Sequence, residues 1–161
     1  MIYLFIIFLD FIFLRKTVYK SVSIKDINEI YMIVTLDTKL LNNNILNSFV
    51  KQFINGMSII DFQNTKFTLA KLKSELSVAR AYIDRCIFEH INNNFSAEDG
   101  AIAKLWCTEL QFKVMDECLQ LFGGYGYMQE YPIARAFVDS RIQRIYGGTN
   151  EIMKEIISRN L

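Results

Sequence analysis

The chain has 161 residues, 52% of them hydrophobic and 22% charged, a mix that can build one domain around an apolar core and excludes a disordered chain. Its formal net charge is +1 with no basic block, so charge offers nucleic acid no footing. Cys86, Cys107 and Cys118 are widely spaced without a CxxC pair, and His90 is the single histidine, which excludes a disulfide framework and a multi-histidine metal site.

In chain order, Met1 to Leu14 is apolar at every position except Asp10, and Arg15 and Lys16 follow. As a helix the run would span about 21 Å, short of a bilayer core of roughly 30 Å. Positive charge follows the run instead of preceding it, against a secretory signal, and the run lacks the Arg- and Ser-rich amphipathic character of a mitochondrial transit peptide. Ser23 to Asp26 can open a helix with Ile27, Ile30, Tyr31 and Val34 on one face, whereas Asn42-Asn43-Asn44 makes a poor helix interior. Residues 1–48 are therefore poorly specified. They are expected to be a truncated or mis-joined coding segment, with membrane anchoring by Met1 to Leu14 as the alternative.

The spacing of Leu69, Leu72, Leu76, Ala79, Ile83 and Cys86 predicts a helix over Gln63 to Asn92, with a seam suited to an antiparallel bundle. Asn92-Asn93-Asn94 ends it, with His90 solvated near its terminus. Ser96 to Asp99 has the form of a capping box and starts a second helix that runs to about Phe122. Ala103, Cys107, Leu110, Val114, Cys118 and Leu121 form its main stripe. Ile102, Leu105, Met115, Leu119 and Phe122 widen that stripe, so this helix is expected to be buried on more than one side. The three thiols and Trp106 are expected to pack in the core.

Leu121 to Glu151 holds five of the seven glycines and the only proline. Gly123, Gly124 and Gly126 stop the second helix, and one left-handed C-terminal glycine accounts for only one of the three. Pro132 opens a third helix, with Ile133, Ala136 and Phe137 on one face and Val138, Ile142 and Ile145 on the next. Arg135, Asp139 and Arg141 are candidates for ion pairs. Gly147-Gly148 breaks the chain again, and Thr149 caps a last helix whose free N–H groups and positive dipole end suit an anionic ligand. The fold class is all-α, an up-and-down antiparallel helical bundle.

The strings QLFGGYGYMQEYP and IYGGTNEIMKEII, with Gln120 and Gly147 27 residues apart, resemble the C-terminal helical domain of the acyl-CoA dehydrogenases, most closely the long-chain type. The likeness is strong from Phe62 to Arg159 and extends in part to Phe49, which gives a domain at 49–161. In FVKQFINGMSIIDFQ, Phe53 stands where the family has an arginine that contacts the flavin phosphates, and phenylalanine has no donor to replace it.

The resemblance implies flavin-dependent α,β-dehydrogenation of acyl-CoA thioesters with FAD as cofactor. It implies flavin contacts at Gln63, Gln120, Leu121, Phe122, Gly123, Gly124, Thr149, Asn150 and Glu151, partly to a neighbouring subunit's cofactor, and an acyl-CoA contact at Gly148. No metal is implied. Many family members carry the catalytic glutamate where Gly147 stands. The long-chain type takes its base from an earlier helix, at a position that falls here near Ile27, with Asp26 and Glu29 close by, so the base is unassigned. Complete enzymes of the family also have an N-terminal helical domain and a middle β domain. The chain alone is therefore expected to be inactive, and a non-catalytic helical module for subunit association is the alternative function. The implied partners are acyl-CoA, an electron-transfer flavoprotein and further copies of the chain. The implied compartment is the mitochondrial matrix, which the N-terminus does not support.

Overall fold

The computed structural model describes residues 53–54, 57–159 and 161. The apolar run Met1 to Leu14, the helix opened at Ser23, the Asn42–Asn44 break and the base candidates Asp26 and Glu29 lie outside the described residues. A two-residue antiparallel pair, β1 (Phe53–Ile54) and β2 (Met57–Ser58), and a short 3₁₀ turn (Ile59–Asp61) lead into the helices.

The first helix, α1, spans Gln63–Ile91 and buries Leu72, Leu76, Ala79, Ile83, Cys86 and Ile87, the face its three- and four-residue spacing predicts. It ends where expected, because Asn93 takes a φ of 59°, a left-handed conformation that asparagine tolerates better than most residues. The second helix, α2 (Ala97–Phe122), starts at a complete capping box. The Asp99 backbone N–H donates to Ser96 Oγ at 3.0 Å, and the Ser96 N–H donates to Asp99 Oδ2 at 3.4 Å. The third and fourth helices are α3 (Pro132–Ile142), with its proline at the first position, and α4 (Asn150–Ser158).

The central helix is α2. Its buried residues include Ala101, Ala103, Cys107, Thr108, Leu110, Gln111, Val114, Met115, Cys118 and Phe122, an arc too wide for one neighbour to cover. Ion pairs record how α1 runs against it: Glu75 meets Lys113 at 2.7 Å and Arg85 meets Asp99 at 3.0 Å, so the two helices are antiparallel. These pairs are partly exposed, worth about 1 kcal/mol or less each, and they fix register more than stability. The stability comes from side chains such as Leu72, Ile83, Met115 and Ile133, which are almost completely buried and contribute roughly 1.5–3 kcal/mol each. On another side of α2, Tyr131 packs on Phe122, Phe137 on Phe112, and Arg144 pairs with Glu109, so α3 also runs antiparallel to α2. The result is the all-α, up-and-down bundle expected. All three cysteines are buried, and none is in a disulfide among the described residues. Among the described residues no helix is long and apolar enough to cross a membrane.

Three local expectations need correction. Trp106 is 51% exposed, because α1, α3 and α4 cover other sides of α2. Of the two apolar faces expected for the third helix, the one with Ile133 is buried, whereas Val138 and Ile142 face outward and Ile145 lies exposed in the turn beyond α3. Arg135, Asp139 and Arg141 join none of the ion pairs among the described residues; Arg135 donates instead to the Gln129 carbonyl.

Candidate functional site

The site residues named from sequence fall on two places along α2. The first is its C-terminal end. Because α1 runs antiparallel, with Glu75 level with Lys113, the start of α1 at Gln63 lies at the same end of the bundle as Gln120 to Gly124. Gln63, Gln120, Gly123 and Gly124 are exposed there, and Leu121 is half-buried. Phe122 differs: its ring is buried against Tyr131, so only its backbone can face a ligand. Beyond it, Gly123–Tyr127 forms a 3₁₀ turn, and Tyr125 stacks on Tyr131 with ring centroids 5.1 Å apart.

The three glycines of this turn differ in what the fold asks of them. Gly123 has φ 56° and ψ −137°, a backbone with positive φ that lies outside the left-handed helical region expected. A Cβ on Gly126 would lie 2.6 Å from the Leu119 carbonyl oxygen, so internal packing excludes a side chain. Gly124 has neither reason: its φ is not positive, and a Cβ there would meet nothing within 4 Å. Nothing in the fold asks for glycine at that position, and the bare backbone faces open space.

The second place is the turn between α3 and α4. Gly148 takes φ +96°, and a Cβ on it would press within 2.7 Å of Met153 Cε. Thr149 caps α4, its Oγ1 accepting from the Ile152 N–H at 3.3 Å. Glu151 is exposed at the start of α4. Its own backbone N–H and the Thr149 hydroxyl hold its carboxyl below the usual carboxylate range. Asn150 is buried, and its side chain is bonded to Lys104, Thr108 and Glu109 on α2.

From Glu109, where this turn docks, α2 rises about 16 Å before it reaches Gln120. Among the described residues the two clusters therefore do not form one compact pocket. Each is an exposed surface of backbone and small side chains, and only an extended ligand, or two separate ligands, can engage both. Among the described residues no group of three His, Cys, Asp or Glu side chains is placed to hold a metal ion. Lys104, Thr108, Glu109 and Arg144, which secure the second cluster, were not singled out from the sequence. Thr108, a polar residue beside the apolar stripe of α2, was the one local signal of them.

A family profile described as acyl-CoA dehydrogenase, C-terminal domain, matches residues 49–161. The long-chain specific acyl-CoA dehydrogenase, mitochondrial, of Mus musculus is 48% identical over 106 residues, which cover 66% of this chain and 25% of that protein. An acyl-CoA dehydrogenase from Geobacillus kaustophilus superposes with a TM-score of 0.78 at 34% identity, covering 84% of this chain and 36% of that one. The butyryl-CoA dehydrogenase of Megasphaera elsdenii does so with a TM-score of 0.77 at 28% identity, again over 84% of this chain and over 35% of its own. The chain spans about a quarter of the length of the curated relatives it matches. Matched by that profile over the helices that carry both clusters, the chain belongs to the acyl-CoA dehydrogenase family.

Proposed function

We propose that the chain serves flavin-dependent α,β-dehydrogenation of an acyl-CoA thioester, as the C-terminal helical part of that machinery. The observation that carries this is Gly124: a glycine that the fold does not need, on an exposed turn beside Gln120. Close approach of a ligand to the backbone is what such a glycine permits. FAD fits this surface, since an exposed amide side chain and open backbone can approach its phosphates and ribityl chain. When bound, FAD supplies the acceptor for the substrate's β-hydride.

The chain's own residues then bind and orient. Gln63 and the Gln120–Gly124 backbone present polar groups at one end of the bundle. At the second cluster, Thr149 fixes the start of α4, Glu151 keeps a negative charge on the ligand side, and Gly148 leaves room for the acyl-CoA. The separation of about 16 Å along α2 suits contacts to an extended cofactor or to the cofactors of two subunits. No base is assigned among the described residues: Gly147 has no side chain, and the resemblance makes Glu151 a flavin-side residue. The chain alone is accordingly inactive on this reading. Acyl-CoA, an electron-transfer flavoprotein and further copies of the chain are its partners, and the mitochondrial matrix is its compartment, as the names of the long-chain relatives support.

The test is a titration of FAD into the chain, read by quenching of flavin fluorescence, beside Gly124→Val. Binding that is lost in Gly124→Val, with thermal unfolding unchanged, supports the reading. No binding by the native chain, or equal binding by both, overturns it.

A second reading is a non-catalytic helical module that associates subunits. The outward apolar row Val138, Ile142 and Ile145 favours it, because contiguous exposed apolar surface marks interfaces. Sedimentation of the chain as a monomer across the concentration range would count against it.

A further inference from the structure

Asn150 is only 2% exposed, and both polar atoms of its side chain are engaged. Oδ1 accepts from Lys104 Nζ at 2.7 Å and from Thr108 Oγ1 at 3.1 Å, while Nδ2 donates to Glu109 Oε1 at 2.7 Å. The partners fix the orientation of the amide: reversed, it would point hydrogens at an ammonium and an oxygen at a carboxylate. Glu109 is held in turn by Arg144, with Nε to Oε1 at 2.9 Å and Nη2 to Oε2 at 2.6 Å. The Arg144 guanidinium lies 5.2 Å from the centroid of the Phe112 ring, and the Arg144 carbonyl accepts the Asn150 backbone N–H at 3.1 Å. Both ends of the loop from Arg144 to Asn150 are thus tied to Glu109. Between them lie Gly147 and Gly148, with φ of 66° and 96°, glycines that restrain the backbone least.

We propose that Asn150 is a positioning residue: through Lys104, Thr108 and Glu109 it fixes the Gly147-Gly148-Thr149 turn on α2, and it does not itself touch the flavin. This replaces the direct flavin contact that the resemblance implied for it, and it rests on the reading of that turn as ligand-facing. The residue type follows from the cluster. Aspartate would set a carboxylate against Glu109, leucine would take away the donor that Glu109 meets and the oxygen that Lys104 meets, and serine is too short to bridge both sides.

The test is amide hydrogen exchange by mass spectrometry on the full 161-residue chain, with FAD affinity measured in parallel. In Asn150→Asp, exchange across residues 145–152 is expected to rise roughly tenfold or more, with α1 unchanged. In the double variant Asn150→Asp with Glu109→Gln, the glutamine amide donates to the new carboxylate, so that bond re-forms with its direction reversed, while Arg144 keeps one of its two bonds to residue 109. Protection of the turn returns in part, and FAD affinity returns with it. Three results overturn the proposal: unchanged exchange in Asn150→Asp, loss of protection spread equally through α1 and α2, or a double variant that regains protection without FAD affinity. The last would mean that Asn150 touches the flavin directly. If the native chain binds no FAD, the reading of the turn as ligand-facing fails, while the exchange pattern still decides whether Asn150 holds the turn.

Discussion

A Cβ on Gly126 would sit 2.6 Å from the backbone carbonyl oxygen of Leu119, two turns back along the same stretch of chain. Backbone cannot swing aside as a long side chain can, so Gly126→Ala must shift the 3₁₀ turn or the end of α2. A loss of about 1–3 kcal/mol is expected, as for other overpacked sites. Gly124→Ala meets nothing within 4 Å and is expected to change stability by about 0.5 kcal/mol or less. Urea unfolding of the two variants measures both. An equal loss at Gly124 would mean that the fold itself requires that glycine, and the argument for a ligand surface there would fall.

Acid should act on the α1–α2 connection first. The Ser96 hydroxyl, its backbone N–H and the Arg85 guanidinium hold the Asp99 carboxyl below its usual range. A depressed folded pKa means that the ionised form is favoured in the native chain. The stabilisation is therefore complete above the ordinary aspartate value of about 3.9, and it is lost as pH falls through the lower folded value. Asp99→Asn should cost about 1 kcal/mol at neutral pH, as the loss of a cap does. It should also flatten the fall of stability with acid below that ordinary value. Unfolding midpoints across the acid range compare the two chains, and parallel curves would show that Asp99 titrates alike folded and unfolded.

The same connection sets thiol reactivity. Burial pushes the Cys86 thiol up, beside Tyr82, and Cys107 and Cys118 are buried as well. A buried thiol that resists ionisation is a poor nucleophile. Iodoacetamide should leave the folded chain unmodified at neutral pH and add three groups once urea unfolds it, as intact mass would show. Fast labelling of the folded chain would mean that α1 and α2 separate readily.

What the sequence could disclose was whatever is local. The capping box at Ser96 and Asp99 spans three residues, the α1 seam repeats within one helix, and Pro132 marks a helix start by its own ring. What stayed hidden depends on distant chain. Glu109 and Arg144 are 35 residues apart, Lys104 and Asn150 46, and no periodicity selects those pairs from the other charged and polar residues. Asn150 was a flavin contact only by the family resemblance, and its burial and its bonds to α2 show that its side chain is occupied. The glycines were equally ambiguous: one is set by φ, one by the Leu119 carbonyl, and one by neither. An apolar stripe such as Val138, Ile142 and Ile145 says that something can cover it, not that the chain does so.

Trp106, the single tryptophan, reports directly on another exposed surface, on α2. It is 51% exposed on the central helix, on a side that α1, α3 and α4 leave open. A dilute monomer should therefore show red-shifted emission that acrylamide quenches readily. If copies of the chain associate across this side, raising the concentration should blue-shift the emission and slow quenching, because burial removes water from the indole. Trp106→Ala should then shift the assembly toward monomer while leaving the unfolding midpoint of the dilute chain nearly unchanged, since a half-exposed ring contributes little to the monomer core. Emission that stays red-shifted and quenchable while sedimentation shows a dimer would place the subunit contact elsewhere, with the outward row of α3 the next face to substitute.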